Sequence, residues 1–247
     1  MKKSQITSLE EFQTTGYFLQ ENFISQAECD SLLKLIADYR RANSVPKIYR
    51  NVKPIPLSRS VINGKIIQSQ IREVQKLYET MNQVINNLTN KQLFPLQDIQ
   101  VGCNINITEK GGTYQWHYDR NAITALLYLN KVDGGEIEFY PNYRIILPNA
   151  KFSRFQSVID RVQQLSFFCH IFGKQIIIKP QPGLLLVMAG DKCLHSVRPV
   201  TEAKDRINIV MAYDLPNANF VIKDKLNTYL YSSKKFDNTD PSYIMFG

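Results

Sequence analysis

The stretch "HYDRNAITALLYLNKVDGGEIEFYP", residues 117–141, decides how this chain is read. Residues i and i+2 of a strand point to the same face, so His117 and Asp119 can both reach one metal ion. The runs "AITALLYLN" and "GEIEFYP" that come next are β-rich and are separated by Asp and Gly, the punctuation of short strands. The whole chain holds only three histidines, so any further imidazole must come from His170 or His195. An H-x-D pair alone is a weak signal, and two solvated polar residues on an exposed strand are the competing reading.

Outward from that stretch the β texture continues. "DIQVGCNINI" upstream, and "KQIIIKP", "GLLLVMAG" and "RINIVMAYD" downstream, read as further strands. Residues 152–168 interrupt the series with helical spacing, as an insertion (142–174) between strands. Ahead of the strands, Ser25 and Glu28 form a capping box that opens a helix over residues 26–41. Ile71, Val74, Leu77, Met81, Val84, Ile85 and Leu88 predict a second helix over 69–89. Helices first and an antiparallel sheet system after them make an α+β chain with a mainly β core, one that can close as a jelly roll. Residues 1–97 would be helical support, 98–214 the core and 215–247 a C-terminal extension.

Between the two helices, residues 40–59 contain three prolines, which argue against regular structure. Arg40, Arg41, Lys47, Arg50, Lys53 and Arg59 meet no acidic residue within that segment. It reads either as a solvated loop or as a basic lid for an anionic substrate.

At 247 residues the chain is long enough for one large domain. Its 30 Lys+Arg against 22 Asp+Glu give a net charge of +8, which suits an anionic partner of unspecified kind. Cys29, Cys103, Cys169 and Cys193 contain no CxxC pair, which argues against a zinc knuckle or a disulfide framework. No apolar h-region comes after the first lysines and no apolar run reaches membrane-spanning length. The expectation is a reduced, cytoplasmic protein with no membrane partner.

His195, after the apolar strand at 184–188, is the candidate third ligand. Two imidazoles and one carboxylate form a facial triad, and the open positions it leaves suit non-haem Fe(II). His170 lies in the insertion and reads as structural.

The series H-x-D, T-x-L-x-Y-L-N, G-G-E and "HSVRPVT", with a basic residue opening the last core strand, resembles the 2-oxoglutarate- and Fe(II)-dependent dioxygenases, particularly their prolyl 4-hydroxylase-like branch. The resemblance runs over roughly 98–214. It implies a double-stranded β-helix (cupin-like) with iron on His117, Asp119 and His195. It also implies a catalytic role for Arg206 as the clamp on the far carboxylate of 2-oxoglutarate. A guanidinium fork suits that task. Asn208 shares its face. Tyr128 matches a cosubstrate-contacting phenol or is a core tyrosine, and Asn106 matches a cosubstrate contact of the nucleic-acid dealkylase branch. Thr108 departs from the pattern, standing where an aromatic is usual, and the loop "TEAKD" is slightly long.

The resemblance further implies a hydroxylase that uses Fe(II), 2-oxoglutarate and dioxygen, with ascorbate as auxiliary reductant, and releases succinate and CO2. Its substrate would be an amino acid, a peptidyl residue or a small metabolite, an anionic one if the basic segment recruits it. Two alternatives stand beside this reading. A nucleic-acid oxidative dealkylase is disfavoured by Ala212, where such relatives carry a second Arg. A non-catalytic jelly-roll binding protein is disfavoured by the intact ligand set.

Overall fold

The computed structural model describes residues 10–51, 56–147, 153–216 and 229–233. Helix α1 (Gln26–Ala42) starts at the capping box: Glu28 N–H donates to Ser25 Oγ, and Ser25 N–H donates to the Glu28 carboxylate at 2.7 Å. The expected helix over 69–89 is two helices, α2 (Gly64–Gln70) and α3 (Arg72–Thr89), broken at Ile71. Ile67, Ile71 and Val74 are all buried at helical spacing across the break, so the apolar stripe continues through it unmarked.

The segment expected to lack regular structure forms an antiparallel hairpin of β2 (Lys47–Arg50) and β3 (Leu57–Ile62). Pro46 and Pro56 flank the strands, where a missing N–H costs no ladder bond. Ile48 and Leu57 are fully buried and pack with Tyr229 and Leu230. The strand expected from residue 98 begins only at Cys103, because Asp98 caps a single helical turn, α4 (Ile99–Gly102), ahead of it.

The strands form two sheets. The larger runs β1 (Tyr17–Gln20), β10 (Leu185–Met188), β7 (Ile123–Tyr128), β12 (Arg206–Asp214), β5 (Cys103–Thr108), β3 and β2, with β4 (Phe94–Pro95) beside β12. The smaller runs β6 (Tyr114–His117), β11 (Leu194–Val197), β8 (Ile137–Tyr140) and β9 (Ile176–Ile178). All recorded strand pairings are antiparallel. The insertion between β8 and β9 carries α5 (Arg154–Gln163) and α6 (Ser166–Phe172).

The alternation of side chains divides the larger sheet by function. Ile105, Ile107, Leu127, Leu185, Val187, Ile209 and Met211 face the helices and form the main core with Val74, Met81 and Ile85. The opposite face carries Asn106 and Thr108 on β5, Thr124 and Leu126 on β7, Met188 on β10 and Arg206 and Asn208 on β12, all lining one cavity.

Candidate active site

His117 ends β6 and His195 lies directly opposite it on β11, their ring centroids 4.1 Å apart. Asp119 sits two residues on, where its backbone N–H donates to the Gly190 carbonyl at 3.0 Å. Donor atoms of the three side chains all lie within 4.8 Å of one another. His117 Nε2 is 3.5 Å and His195 Nε2 is 3.7 Å from the same Asp119 oxygen.

Both imidazoles are oriented from behind. His117 Nδ1 is 2.8 Å from the Gln115 carbonyl and His195 Nδ1 is 2.9 Å from that of Cys193. A backbone carbonyl takes a hydrogen bond from Nδ1–H, which leaves each Nε2, the atom directed toward Asp119, as the ring position for a metal. Burial, with His117 beside it, pushes the His195 pKa down to about 4, which keeps the ring neutral near pH 7. Burial works to raise the Asp119 pKa. His195 and His117, with the Thr124 hydrogen bond, outweigh it and hold the carboxyl well below the usual range. The donor set therefore offers two imidazole Nε2 atoms and a carboxylate, and it fits a divalent cation that accepts mixed N and O ligands.

Thr124 donates to the second Asp119 oxygen at 2.5 Å and receives a hydrogen bond from Asn121 at 2.9 Å. The gap beside them exists because residue 190 is Gly. A Cβ there would stand 2.6 Å from Thr124 Oγ1 and 2.9 Å from Asp119 Oδ2.

Arg206 is 3 % exposed and faces the same cavity. Its Nη1 donates to Asn208 Oδ1 at 2.7 Å, its Nη2 lies 3.4 Å from the Tyr128 hydroxyl, and its Nε has no partner. Among the described residues no carboxylate pairs with it. A buried guanidinium is costly without an acid, and its fork is shaped for a carboxylate. Tyr128 is fully buried behind Arg206 rather than on the cavity wall, its ring 5.0 Å from the guanidinium carbon. Gly135, at φ +65, makes the room: a Cβ there would meet Arg206 Cδ at 2.7 Å. Asn130 ties β7 to the start of β12, accepting from Ile207 N–H and donating to the Asp205 carbonyl.

The cavity, of ≈ 130 Å³, thus brings together His117, Asp119, His195, Arg206, Asn208 and Asn106. Thr108 lies opposite Arg206 in register, and Ala212 is also on the wall. Among the described residues, the sequence reading missed Thr124, Gly190 and Tyr231, and it did not single out Arg59. Thr124 opens the T-x-L-x-Y-L-N run and was legible there. Tyr231 comes from distant chain and carries no local signal. His170 belongs to α6, its side chain outside the described ones.

Residues 103–213 match the family model described as "2OG-Fe(II) oxygenase superfamily". They form a 2OG-Fe(II) oxygenase domain. Fe(II) and 2-oxoglutarate are the cofactors of that superfamily, and the oxygenase is accordingly a 2-oxoglutarate-dependent enzyme. Solved structures share its fold at low identity. The α-ketoglutarate-dependent epimerase SnoN from nogalamycin biosynthesis is 11% identical, with a TM-score of 0.66 over 87% of this chain and 84% of its own. A prolyl hydroxylase from Trichoplax adhaerens, solved with a hypoxia inducible factor peptide, is 17% identical, with a TM-score of 0.64 over 90% and 95%. HygX from Streptomyces hygroscopicus, solved with nickel and 2-oxoglutarate, is 13% identical, with a TM-score of 0.59 over 85% and 87%. No curated protein matches the sequence of the oxygenase.

The basic segment requires a correction. Arg40 pairs with Asp205 at 2.8 Å, Arg41 with Asp38 and Lys47 with Glu109. Arg50 is buried under Tyr229, and Lys53 lies outside the described residues. All three acidic partners lie outside the segment, Asp38 just before it and Glu109 and Asp205 far along the chain, so a local count of charges could not find them. No helix among the described residues is long and apolar enough to cross a membrane.

Proposed function

We propose that His117, Asp119 and His195 hold Fe(II), that Arg206 holds the C5 carboxylate of 2-oxoglutarate, and that the enzyme hydroxylates a C–H bond of a small molecule or peptidyl residue. The observation that carries this reading is the pairing, in one cavity, of a two-His-one-carboxylate cluster with a buried guanidinium lacking an acid. When bound, iron and 2-oxoglutarate supply the oxidising chemistry: dioxygen is consumed, and succinate, CO2 and an oxidised substrate are released.

The chain's own residues supply position and dryness. Gln115 and Cys193 carbonyls fix the two imidazole tautomers, and Thr124 fixes the Asp119 oxygen left over. Asn208 aims the Arg206 fork, and Leu126, Ile137, Met188 and Val210 keep water from the cavity floor. Retention of a carboxylate at Asp119 supports hydroxylation, since that residue fills a coordination position which halogenating relatives leave open. Of the fold relatives, one was solved with a peptide and another belongs to nogalamycin biosynthesis, so both substrate classes are kept. Ala212 on the wall supports neither a second arginine nor a dealkylase reading.

The test is succinate formation that requires Fe(II), 2-oxoglutarate and dioxygen, with mass spectrometry of candidate substrates for the gain of one oxygen atom. Succinate formation that is independent of iron, or substrate loss without oxygen gain, would reject hydroxylation.

A further inference from the structure

One buried cation in the cavity is not used by the metal site or by the cosubstrate clamp. Arg59, on β3, is 6 % exposed and lines the same cavity. Its partners are neutral: Nη1 donates to Asn106 Oδ1 at 2.6 Å and Nη2 to the Leu230 carbonyl at 3.4 Å, while Nε has no partner. The guanidinium carbon lies 4.7 Å from the Tyr114 ring centroid and 5.9 Å from that of Tyr231. The Tyr114 ring in turn is 4.4 Å from that of His117. Arg59 is therefore one aromatic ring away from the candidate metal ligands. Among the described residues no acid pairs with it, whereas Arg120 on the same wall is already engaged.

The arrangement repeats that of Arg206. Asn106 and Asn208 are register partners on β5 and β12, and each carboxamide oxygen holds one arginine. Metal, Asp119, dianionic cosubstrate and Arg206 together sum to neutrality, which leaves the charge of Arg59 over. Buried charge without a partner is strongly unfavourable, and a guanidinium fork is shaped for a carboxylate.

We infer that Arg59 is the specificity residue for the primary substrate, and that this substrate is a small carboxylic acid whose carboxylate docks on Arg59. This rests on the assignment of Arg206 to 2-oxoglutarate. Leu230 and Tyr231 flank Arg59 in a cavity of ≈ 130 Å³, a space suited to a small molecule.

The experiment is anaerobic calorimetric titration of the protein loaded with Fe(II) and 2-oxoglutarate, using propanoate and its near-isostere propanamide as probes. Propanoate should bind with a Kd at least tenfold below that of propanamide. Arg59→Met should remove that preference while changing the 2-oxoglutarate Kd less than twofold. A tripeptide acid separates the two sources of carboxylate, and binding of the tripeptide tighter than propanoate would overturn the small-molecule assignment. Equal affinity for propanoate and propanamide, or a preference surviving Arg59→Met, would overturn the inference outright, as would loss of 2-oxoglutarate binding in that variant. Should Arg59→Met not fold, the propanoate–propanamide comparison in the parent decides, with Arg59→Lys expected to keep a reduced preference. In Arg206→Met protein the Arg59-dependent propanoate binding should persist, so failure of the cosubstrate assignment and failure of this one give different results.

Discussion

At the scale of single residues, the site is set by hydrogen bonds that leave one reactive atom free. Arg206 spends Nη1 on Asn208 and keeps Nε open. Arg206→Ala should weaken 2-oxoglutarate binding by about 1.5–3 kcal/mol, the range of a hydrogen bond to a charged group, as read by anaerobic calorimetry. Iron affinity should be little changed. Equal losses of both would make Arg206 a support of the fold. Gly190 offers a sharper probe of Asp119. Gly190→Ala is compatible with the backbone, yet its Cβ would press on Thr124 Oγ1 and Asp119 Oδ2. The expected result is an iron Kd raised roughly tenfold, about 1.4 kcal/mol, with circular dichroism unchanged. Iron binding like the parent's would mean that Asp119 is not held by that contact.

At the scale of elements, the insertion between β8 and β9 has a structural task next to the H-x-D turn. Arg144 makes a two-pronged pair with Asp160 of α5, at 2.8 and 2.6 Å, and its guanidinium carbon lies 4.8 Å from the Tyr118 ring centroid. Tyr118 stands between His117 and Asp119, so the insertion buttresses the turn that carries two candidate ligands. Both partners of the pair are buried. Asp160→Ala should therefore destabilise the protein by about 3–5 kcal/mol in urea titration, the cost of stranding a buried charge. A change under about 1 kcal/mol, the size of an exposed pair, would show that α5 is loosely attached.

Elements also show where the sequence was readable. Strands β5, β7, β8, β10 and β12 and helix α1 are set by local pattern, since alternation, turn residues and a capping box are all short-range. The hairpin of β2 and β3 was not readable. Its burial depends on Tyr229 and Leu230, some 170 residues away, and its prolines mark strand ends that composition alone does not distinguish from a loop. Arg59 was hidden for the same reason: along the chain it is one basic residue among several, and only the pairing of β3 with β5 turns it inward. His117, Asp119, His195 and Arg206 were singled out through the family resemblance carried by the H-x-D, "HSVRPVT" and "RINIVMAYD" runs, not by strand alternation alone, since Asp119 lies past the end of β6 and His195 is on β11.

At the scale of the whole molecule, the larger sheet separates stability from chemistry by the parity of its strands. Odd-numbered residues of β5, β7 and β12 join the main core with α3, while the even-numbered Asn106, Thr108, Thr124, Leu126, Arg206, Asn208, Val210 and Ala212 line the cavity. Ile209 and Asn208 are adjacent in sequence and belong to different halves of that division. Ile209→Ala should cost about 2–5 kcal/mol of stability, measured by chemical denaturation, yet leave iron and 2-oxoglutarate affinity per folded molecule unaltered. Loss of cosubstrate affinity in proportion to stability would mean that the two faces are coupled.

The central claim is that His117, Asp119 and His195 form one iron centre to which 2-oxoglutarate adds. Anaerobic titration of Fe(II) into protein with 2-oxoglutarate, monitored by the visible charge-transfer absorption of an iron–keto-acid chelate, addresses it most directly. Saturation is expected at one iron per chain, with loss of the band in His117→Ala and in His195→Ala, both folded by circular dichroism. A band that survives either substitution, or none in the parent protein, would contradict it.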